Sequence, residues 1–220
     1  MKFVLSRLPA ALLVFGFLMI IHYFQWGIIP SKEKKGIIFA HPKVEKYDVF
    51  LIATDEKPIE IGLIEALKSQ EGPTLKIHIL DGSSLEFESE KYSDIAYEKI
   101  DPGILFSVFF TKAKKCDPKD VIVLIDTTEK NIHRSFFKKM HEVFENGDVW
   151  FLYADKKIHP TRSNPGFHIA KIKACHAGLL HQLEQEKIAD FKEFYSAIFY
   201  LSDDHTLFDP KLLDSQFENG

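Results

Sequence analysis

The sequence predicts an α/β domain with a mainly parallel sheet flanked by helices, and three observations support this. Short runs of apolar, often β-branched residues recur along the chain, as in buried strands. Segments with apolar residues at helical spacing lie between these runs, and such alternation is typical of parallel sheets. The composition, 45% hydrophobic with 20 phenylalanines, fits one globular domain with a substantial core.

The predicted elements follow one another from residue 49 onward. The run VFLIAT predicts a strand over residues 49–54, and IEIGLIEALKSQ predicts a helix in which Ile61, Ile64 and Leu67 recur at helical spacing. After the break at Gly72-Pro73, the alternating run LKIHIL predicts a strand over residues 75–80. Further patterns predict a helix over residues 102–115, a strand over 121–125, a helix over 135–144, a turn at Asn146-Gly147 and a strand over 149–154.

A long apolar segment precedes this domain. Residues 8–29 contain no Asp, Glu, Lys or Arg, and about 20 apolar residues suffice to cross a bilayer. Tyr23 and Trp26 suit the interfacial aromatic belt, and no small-x-small cleavage site follows. We therefore predict a short tail over residues 1–7, a transmembrane signal anchor over 8–29, a tether over 30–46 and the folded domain over 47–220. Basic residues on both sides of the anchor leave its orientation open.

Composition and missing motifs exclude several classes of protein. The formal net charge of -4 gives no basic footprint, so we predict no nucleic-acid partner. The sequence has no glycine-rich phosphate loop, no H-E-x-x-H or C-x-x-C pair and no G-x-S-x-G elbow. Its two cysteines, Cys116 and Cys175, leave one disulfide and two buried thiols as open alternatives.

Polar residues follow three of the predicted strands. Thr54, Asp81 and Asp126 each come directly after an apolar run, and parallel sheets bind ligands beyond the carboxyl ends of their strands. Glu129 follows Asp126 by three positions, and two carboxylates together with nucleotide phosphates can hold Mg²⁺ or Mn²⁺. An ordinary strand that leaves the core through a polar turn explains the same residues, so both interpretations stay open.

Seven segments resemble, in order and rough spacing, the glycosyltransferase domain of the procollagen lysyl hydroxylase family. They cover nearly everything from Tyr47 to the C-terminus: VFLIATDE, LKIHILDG, VIVLIDTTE, VWFLYADKKIHP, NPGFHIA, DFKEFYSAIFYL and FDPKLLDSQFENG. The resemblance implies a GT-A-like fold, a UDP-sugar donor, Mn²⁺, and a collagen-like acceptor carrying hydroxylysine. It also implies the secretory pathway, with a luminal domain on a single-pass anchor in the endoplasmic reticulum or Golgi membrane.

The resemblance further implies roles for individual residues. Asp126 and Glu129 match the two metal carboxylates, and Asp190 matches a member of an acidic run near the acceptor, where it would assist catalysis. The predicted contacts to the nucleotide-sugar donor are Thr54, Asp81, Thr128 and Asn164.

Several positions depart from the family pattern. Glu129 replaces an aspartate of the family pattern, Thr128 replaces a base-stacking tyrosine, and His159 replaces a tryptophan. Pro165 interrupts a glycine-rich turn, and the acidic run is reduced to Asp190. These changes all affect positions that the family uses for its activity, whereas the apolar pattern of the core is retained. This combination is typical of a pseudoenzyme. The alternatives are therefore a membrane-anchored glycosyltransferase, an inactive scaffold that pairs with an active family member, and an unrelated α/β domain. We do not expect the chain to hydroxylate lysine by itself.

Overall fold

The computed structural model describes residues 43–85, 87–129, 132–146, 148–155, 166–184, 187–202, 205–209 and 212. They belong to one compact unit, which spans His41–Gly220. The strands are β1 Tyr47–Ala53, β2 Leu75–Asp81, β3 Ala96–Lys99, β4 Val121–Asp126, β5 Phe151–Ala154, β6 Ile172–His176 and β7 Thr206–Phe208. The α-helices are α1 Ile61–Lys68, α2 Leu105–Ala113, α3 Phe136–Asn146, α4 Ala177–Leu180 and α5 Phe191–Ser202.

Several predicted features lie outside the described residues: the tail over residues 1–7, the anchor over residues 8–29, most of the tether over residues 30–46, Gly147 of the predicted turn, and the donor contact Asn164. Within the described ranges, no helix combines the length and the apolar character that crossing a bilayer requires.

The strands form one mixed sheet in the order β3-β2-β1-β4-β6-β5-β7. β1 pairs in parallel with β2 and β4, β2 with β3, and β5 with β7. β6 runs antiparallel to both of its neighbours, β4 and β5. The prediction of a mainly parallel sheet therefore holds for the first half of the domain, and the inserted strand β6 makes the whole sheet mixed.

Helices α1 and α3 cover one face of the sheet. The apolar side chains of α1 that are buried are Leu63, Ile64 and Leu67, and they pack with those of α3 in the main core. The predicted helix is confirmed, and of its three residues at helical spacing Ile64 and Leu67 are buried whereas Ile61 is 59% exposed. Positions 63, 64 and 67 form the helical face that points to the sheet, and Ile61 lies on the other side of the first turn.

Helices α2 and α5 cover the other face through phenylalanine rings. The ring of Phe50 on β1 meets that of Phe109 on α2 at 5.2 Å, and Phe109 meets Phe194 on α5 at 5.4 Å. At the first turns of the two helices, the rings of Phe106 and Phe191 lie 5.1 Å apart. Edge-to-face rings at these distances add to the energy of their buried area, so this layer accounts for much of the chain's phenylalanine content.

The predicted helix over residues 102–115 is divided in two. Pro102–Ile104 form a 3₁₀ turn, which the Asp101 carboxylate caps by accepting from the Gly103 amide at 2.7 Å, and α2 begins at Leu105. The two cysteines are unpaired, which decides the open alternative in favour of thiols. Burial raises the pKa of the Cys175 thiol on β6 and raises that of Cys116 to about 12.

Candidate functional site

A cleft of about 690 Å³ opens beyond the carboxyl ends of β1 and β4. Its lining comes from the ends of these strands, from the first residues of α2 and α5, and from the segment of residues 168–173. This is the place where open α/β sheets bind ligands, and the volume lies within the range of about 300–1,000 Å³ typical of small-molecule sites. The polar and charged side chains in its lining include those of Thr54, Lys57, Asp126, His168, Lys171, Lys173, Asp190 and Tyr195.

The turn after β1 positions a lysine in the cleft. The amide of Thr54 donates to the Lys57 carbonyl at 3.1 Å, and the amide of Lys57 donates to the Thr54 carbonyl at 3.0 Å. The hydroxyl of Thr127, just after β4, also donates to the Lys57 carbonyl, at 2.8 Å. These bonds tie the turn to the end of β4, and the Lys57 Nζ lies 2.6 Å from Oδ2 of Asp126.

Asp126 is held from both sides. Its Oδ2 pairs with Lys57, while its Oδ1 accepts from the Thr128 amide at 3.0 Å and from the Thr128 hydroxyl at 2.7 Å. Its side chain is only 17% exposed. Burial alone would raise the pKa of Asp126, but the hydrogen bonds from Lys57 and Thr128 outweigh it and hold that pKa below its usual value. Asp126 is therefore an ionised, fixed carboxylate at neutral pH.

Two further lysines come from the chain segment that leads into β6. The Lys173 side chain is 7% exposed, donates to the Ala170 carbonyl, and lies 4.4 Å from the centroid of the Tyr195 ring. Burial lowers the pKa of Lys173 to about 8. The Lys171 Nζ lies 3.6 Å from Oε2 of Glu129. Lys57, Lys171 and Lys173, here called the lysine cluster, were not anticipated from the sequence.

A signal for two members of the cluster does exist in the sequence. Residues two apart in a strand project on the same side, so the KIK run of residues 171–173 presents two lysines to one face if it is extended. His168 was also missed. It lines the cleft, and its Nδ1 is buried without a hydrogen-bond partner among the described residues. Burial and the nearby Lys192 lower the pKa of His168, which favours a neutral imidazole at pH 7.

The structure brings together some of the predicted residues. Thr54, Asp126 and Asp190 line the same cleft, and Thr128 supports Asp126 from behind. Glu129, the second predicted metal carboxylate, is 7% exposed and is absent from the cleft lining.

Asp81 is not brought into the cleft, although it ends β2 as expected. Its Oδ1 accepts from the amide and the hydroxyl of Ser83 at 2.9 and 2.6 Å. Its Oδ2 accepts from the Tyr97 hydroxyl at 2.8 Å and from Lys99 Nζ at 3.0 Å. With four hydrogen-bond donors around its buried carboxylate, Asp81 stabilises the loop after β2. Its predicted contact with the nucleotide sugar stays a prediction.

Asp190 precedes the first residue of α5 and caps that helix. Its Oδ1 accepts from the Glu193 amide at 2.8 Å, and Oε2 of Glu193 accepts from the Ala189 amide at 2.8 Å. This reciprocal arrangement is close to a capping box. Asp190 therefore has a structural role beside the cleft, and its catalytic role stays a prediction.

The residues at the cleft do not fit a divalent cation as they are arranged. Both oxygens of Asp126 are engaged, one of them by an ammonium group, and Glu129 faces Lys171. In the ranges that the structure covers, no three His, Cys, Asp or Glu side chains form a group that could hold a metal ion. Mn²⁺ therefore stays a prediction, and no chemical step is derived from it.

The chain matches solved glycosyltransferase structures in fold. The crystal structure of S. aureus TarS 1-349 is 13% identical, covering 70% of this chain and 55% of that chain, with a TM-score of 0.53. The structure of S. aureus TarS gives 13% identity, 75% and 35% coverage and a TM-score of 0.57. The mannosyltransferase PcManGT from Pyrobaculum calidifontis, in complex with GDP-Man and Mn²⁺, gives 11% identity, 79% and 56% coverage and a TM-score of 0.50.

These matches define the class of fold: the domain has a GT-A-like glycosyltransferase fold. TarS 1-349 is also known in complex with UDP and with UDP-GlcNAc, so this fold binds sugar nucleotides in those proteins. The chain spans about half the length of TarS 1-349. No family model and no curated protein matches the sequence.

Proposed function

We propose that the domain binds a UDP-sugar in the cleft and transfers the sugar to a hydroxyl group of an acceptor. The observation that carries this proposal is the position of the cleft in a GT-A-like fold, together with the three lysines that line it. Ammonium groups are established partners of phosphate, and a cleft at the carboxyl ends of parallel strands is the expected place for a nucleotide.

The roles of the cleft residues follow from the charges in the reaction. Sugar transfer breaks the bond between the anomeric carbon and the diphosphate oxygen, so the leaving UDP gains negative charge. Cations fixed beside that oxygen would stabilise the transition state, and the lysine cluster supplies them. Thr54 would contact the nucleotide, and Asp190 would accept the proton of the attacking hydroxyl.

The wider setting is part of the same proposal and depends on the resemblance to the procollagen lysyl hydroxylase family. In it, residues 8–29 anchor the protein in the endoplasmic reticulum or Golgi membrane, the domain is luminal, and the acceptor is a hydroxylysine of a collagen-like chain. Protease protection in sealed microsomes would test the orientation, because a luminal domain is digested only after the membrane is permeabilised.

A non-catalytic scaffold is the second candidate. It is favoured by the engagement of Asp126 with Lys57 and by the use of Asp190 as a helix cap, since both residues have structural roles without any substrate. In this case the protein would keep the fold and pair with an active family member.

Titration calorimetry of the full chain in a mild detergent, with UDP, UDP-glucose and UDP-galactose, distinguishes these functions. Saturable binding together with UDP release in the presence of hydroxylysine-containing collagen peptides would support the transferase. Binding without turnover, and co-purification with an active transferase, would support the scaffold. If a folded sample binds none of the three nucleotides, the proposed donor site is wrong.

A further inference from the structure

We propose that the lysine cluster, and not a divalent cation, carries the positive charge that holds the donor diphosphate in this cleft. The inference rests on the proposed function, because it specifies how the same site takes its ligand. Asp126 and Glu129 are predicted to bind Mn²⁺, but in the structure each of them lies beside a lysine.

The two carboxylates predicted to bind the metal ion already have cationic neighbours. A small divalent cation binds carboxylate oxygens at about 2.0–2.1 Å and needs them free of other close cations. The Nζ of Lys57 lies 2.6 Å from Oδ2 of Asp126, where such an ion would have to approach, and Lys171 stands beside Glu129. An ammonium thus stands beside each of the two carboxylates, and a metal ion would be repelled by both.

The side chains that line the cleft carry more positive than negative charges. Its lining contains three lysines against two carboxylates, Asp126 and Asp190. Glu129 faces Lys171 from outside the lining. Among the side chains that line the cleft, positive charges therefore outnumber negative ones before any metal is added, which suits an anion such as a diphosphate.

Lys57 and Lys173 differ in how firmly their side chains are held. Lys57 is 51% exposed, so its side chain can turn from Asp126 towards a phosphate or bridge the two. Lys173 is buried and fixed by the Ala170 carbonyl and the Tyr195 ring. One exchangeable and one fixed ammonium in the same cleft can bind the two phosphates of a nucleoside diphosphate. The first turns of α2 and α5 also face the cleft, and helix N-termini favour negative charge.

The test is the binding of UDP to the full chain by calorimetry, once with EDTA and once with Mn²⁺. We expect UDP to bind in EDTA about as tightly as with Mn²⁺. We expect Lys57→Ala and Lys171→Ala each to weaken binding in EDTA by about 10-fold or more, the usual effect of losing a charged hydrogen bond. Lys57→Arg should retain most of the affinity, because it keeps the charge.

Lys119→Ala is the matched control. Lys119 lies before the other end of β4 and pairs with Glu45 at 3.2 Å, so its removal deletes an ion-paired lysine far from the cleft and should leave UDP binding unchanged. Melting curves of every variant confirm that the fold is intact.

The outcomes separate the two proposals. If UDP binds only with Mn²⁺ and Lys57→Ala binds like the wild type, the role of the lysine cluster is refuted and the donor site stands. If UDP binds in neither condition while the fold is intact, the donor site itself is refuted, and the lysine proposal falls with it.

Discussion

Replacing Lys173 by methionine is expected to stabilise the domain at neutral pH. Lys173 is buried on the sheet under α5, and burial lowers its pKa from 10.5 to about 8. In the unfolded chain the group keeps its ordinary pKa, so between these two values the unfolded state binds more protons than the folded state. The stability of the wild type therefore rises with pH across this window, and at pH 7 the domain bears nearly the full cost of the buried charge.

The size of this cost follows from the two pKa values. Because each pKa unit corresponds to about 1.4 kcal/mol, a pKa lowered from 10.5 to about 8 implies a cost on the order of 3 kcal/mol at pH 7. Methionine also loses the hydrogen bond to Ala170 and the contact of the cation with the Tyr195 ring, together worth about 2 kcal/mol. The expected net gain at pH 7 is about 1 kcal/mol. Between pH 7 and about pH 9.5, the wild type should gain about 2 kcal/mol relative to the variant.

Urea unfolding of residues 41–220, followed by circular dichroism at both pH values, measures the difference directly. Lys119→Met serves as the control, because that exposed lysine should show no such pH dependence. A Lys173→Met difference that stays constant with pH would refute the reasoning, since it would mean that Lys173 has an ordinary pKa in the folded protein.

Four further predictions follow from single contacts. Asp190→Ala should lower the free energy of unfolding by about 1 kcal/mol, because it removes the cap of α5. Asp190→Asn should keep the cap and the stability but lower turnover, because it removes the carboxylate that would accept the proton. Turnover equal to that of the wild type would exclude the catalytic role. Phe109→Ala should lower the free energy of unfolding, measured with urea, by about 3–5 kcal/mol, because the ring is fully buried. A loss below about 1 kcal/mol would contradict the packing of this ring between β1 and α5. Gly72→Ala should lower the free energy of unfolding by about 1–3 kcal/mol, because Gly72 has φ +108° and its Cβ would lie 3.2 Å from Cα of Lys138; an unchanged melting temperature would argue against this. Cys175 should react with Ellman's reagent only after unfolding, because its thiol is buried and its pKa is raised. Since Cys116 is partly exposed, rapid labelling of both cysteines in the native protein would contradict this.

The strands of the first half could be predicted because their sequences are continuous apolar runs between turn residues. β1, β2 and β4 lie within one or two residues of their predicted limits, since strands buried on both faces need such runs. β6 was not predicted because IKACH mixes a lysine, a cysteine and a histidine. Its burial depends on tertiary partners, the strands β4 and β5 on either side, which no local pattern contains.

The candidate site could be predicted only in part for the same reason. The place of Asp126 follows from the rule that parallel strands end at one edge of the sheet, and the structure confirms that place. The partner of Asp126 does not follow from the sequence, because Lys57 is 69 residues away and reaches it through the turn that Thr127 fixes. Lys171 precedes β6 and Lys173 lies in it, so the KIK spacing indicates two lysines on one face only once this strand is recognised.

The different environments of Lys57 and Lys173 bear on what the cleft is for. Lys57 is exposed and pairs with Asp126, an arrangement that adds little to stability in either direction. Lys173 is buried against a carbonyl and a ring, and its charge lowers the stability of the folded protein at neutral pH. A residue that destabilises a fold where methionine would serve better is typical of a functional site, because activity and stability often conflict there. In the proposed donor site, the incoming diphosphate would favour the charged form of Lys173, so the cost of burying that charge would be recovered as affinity for the nucleotide.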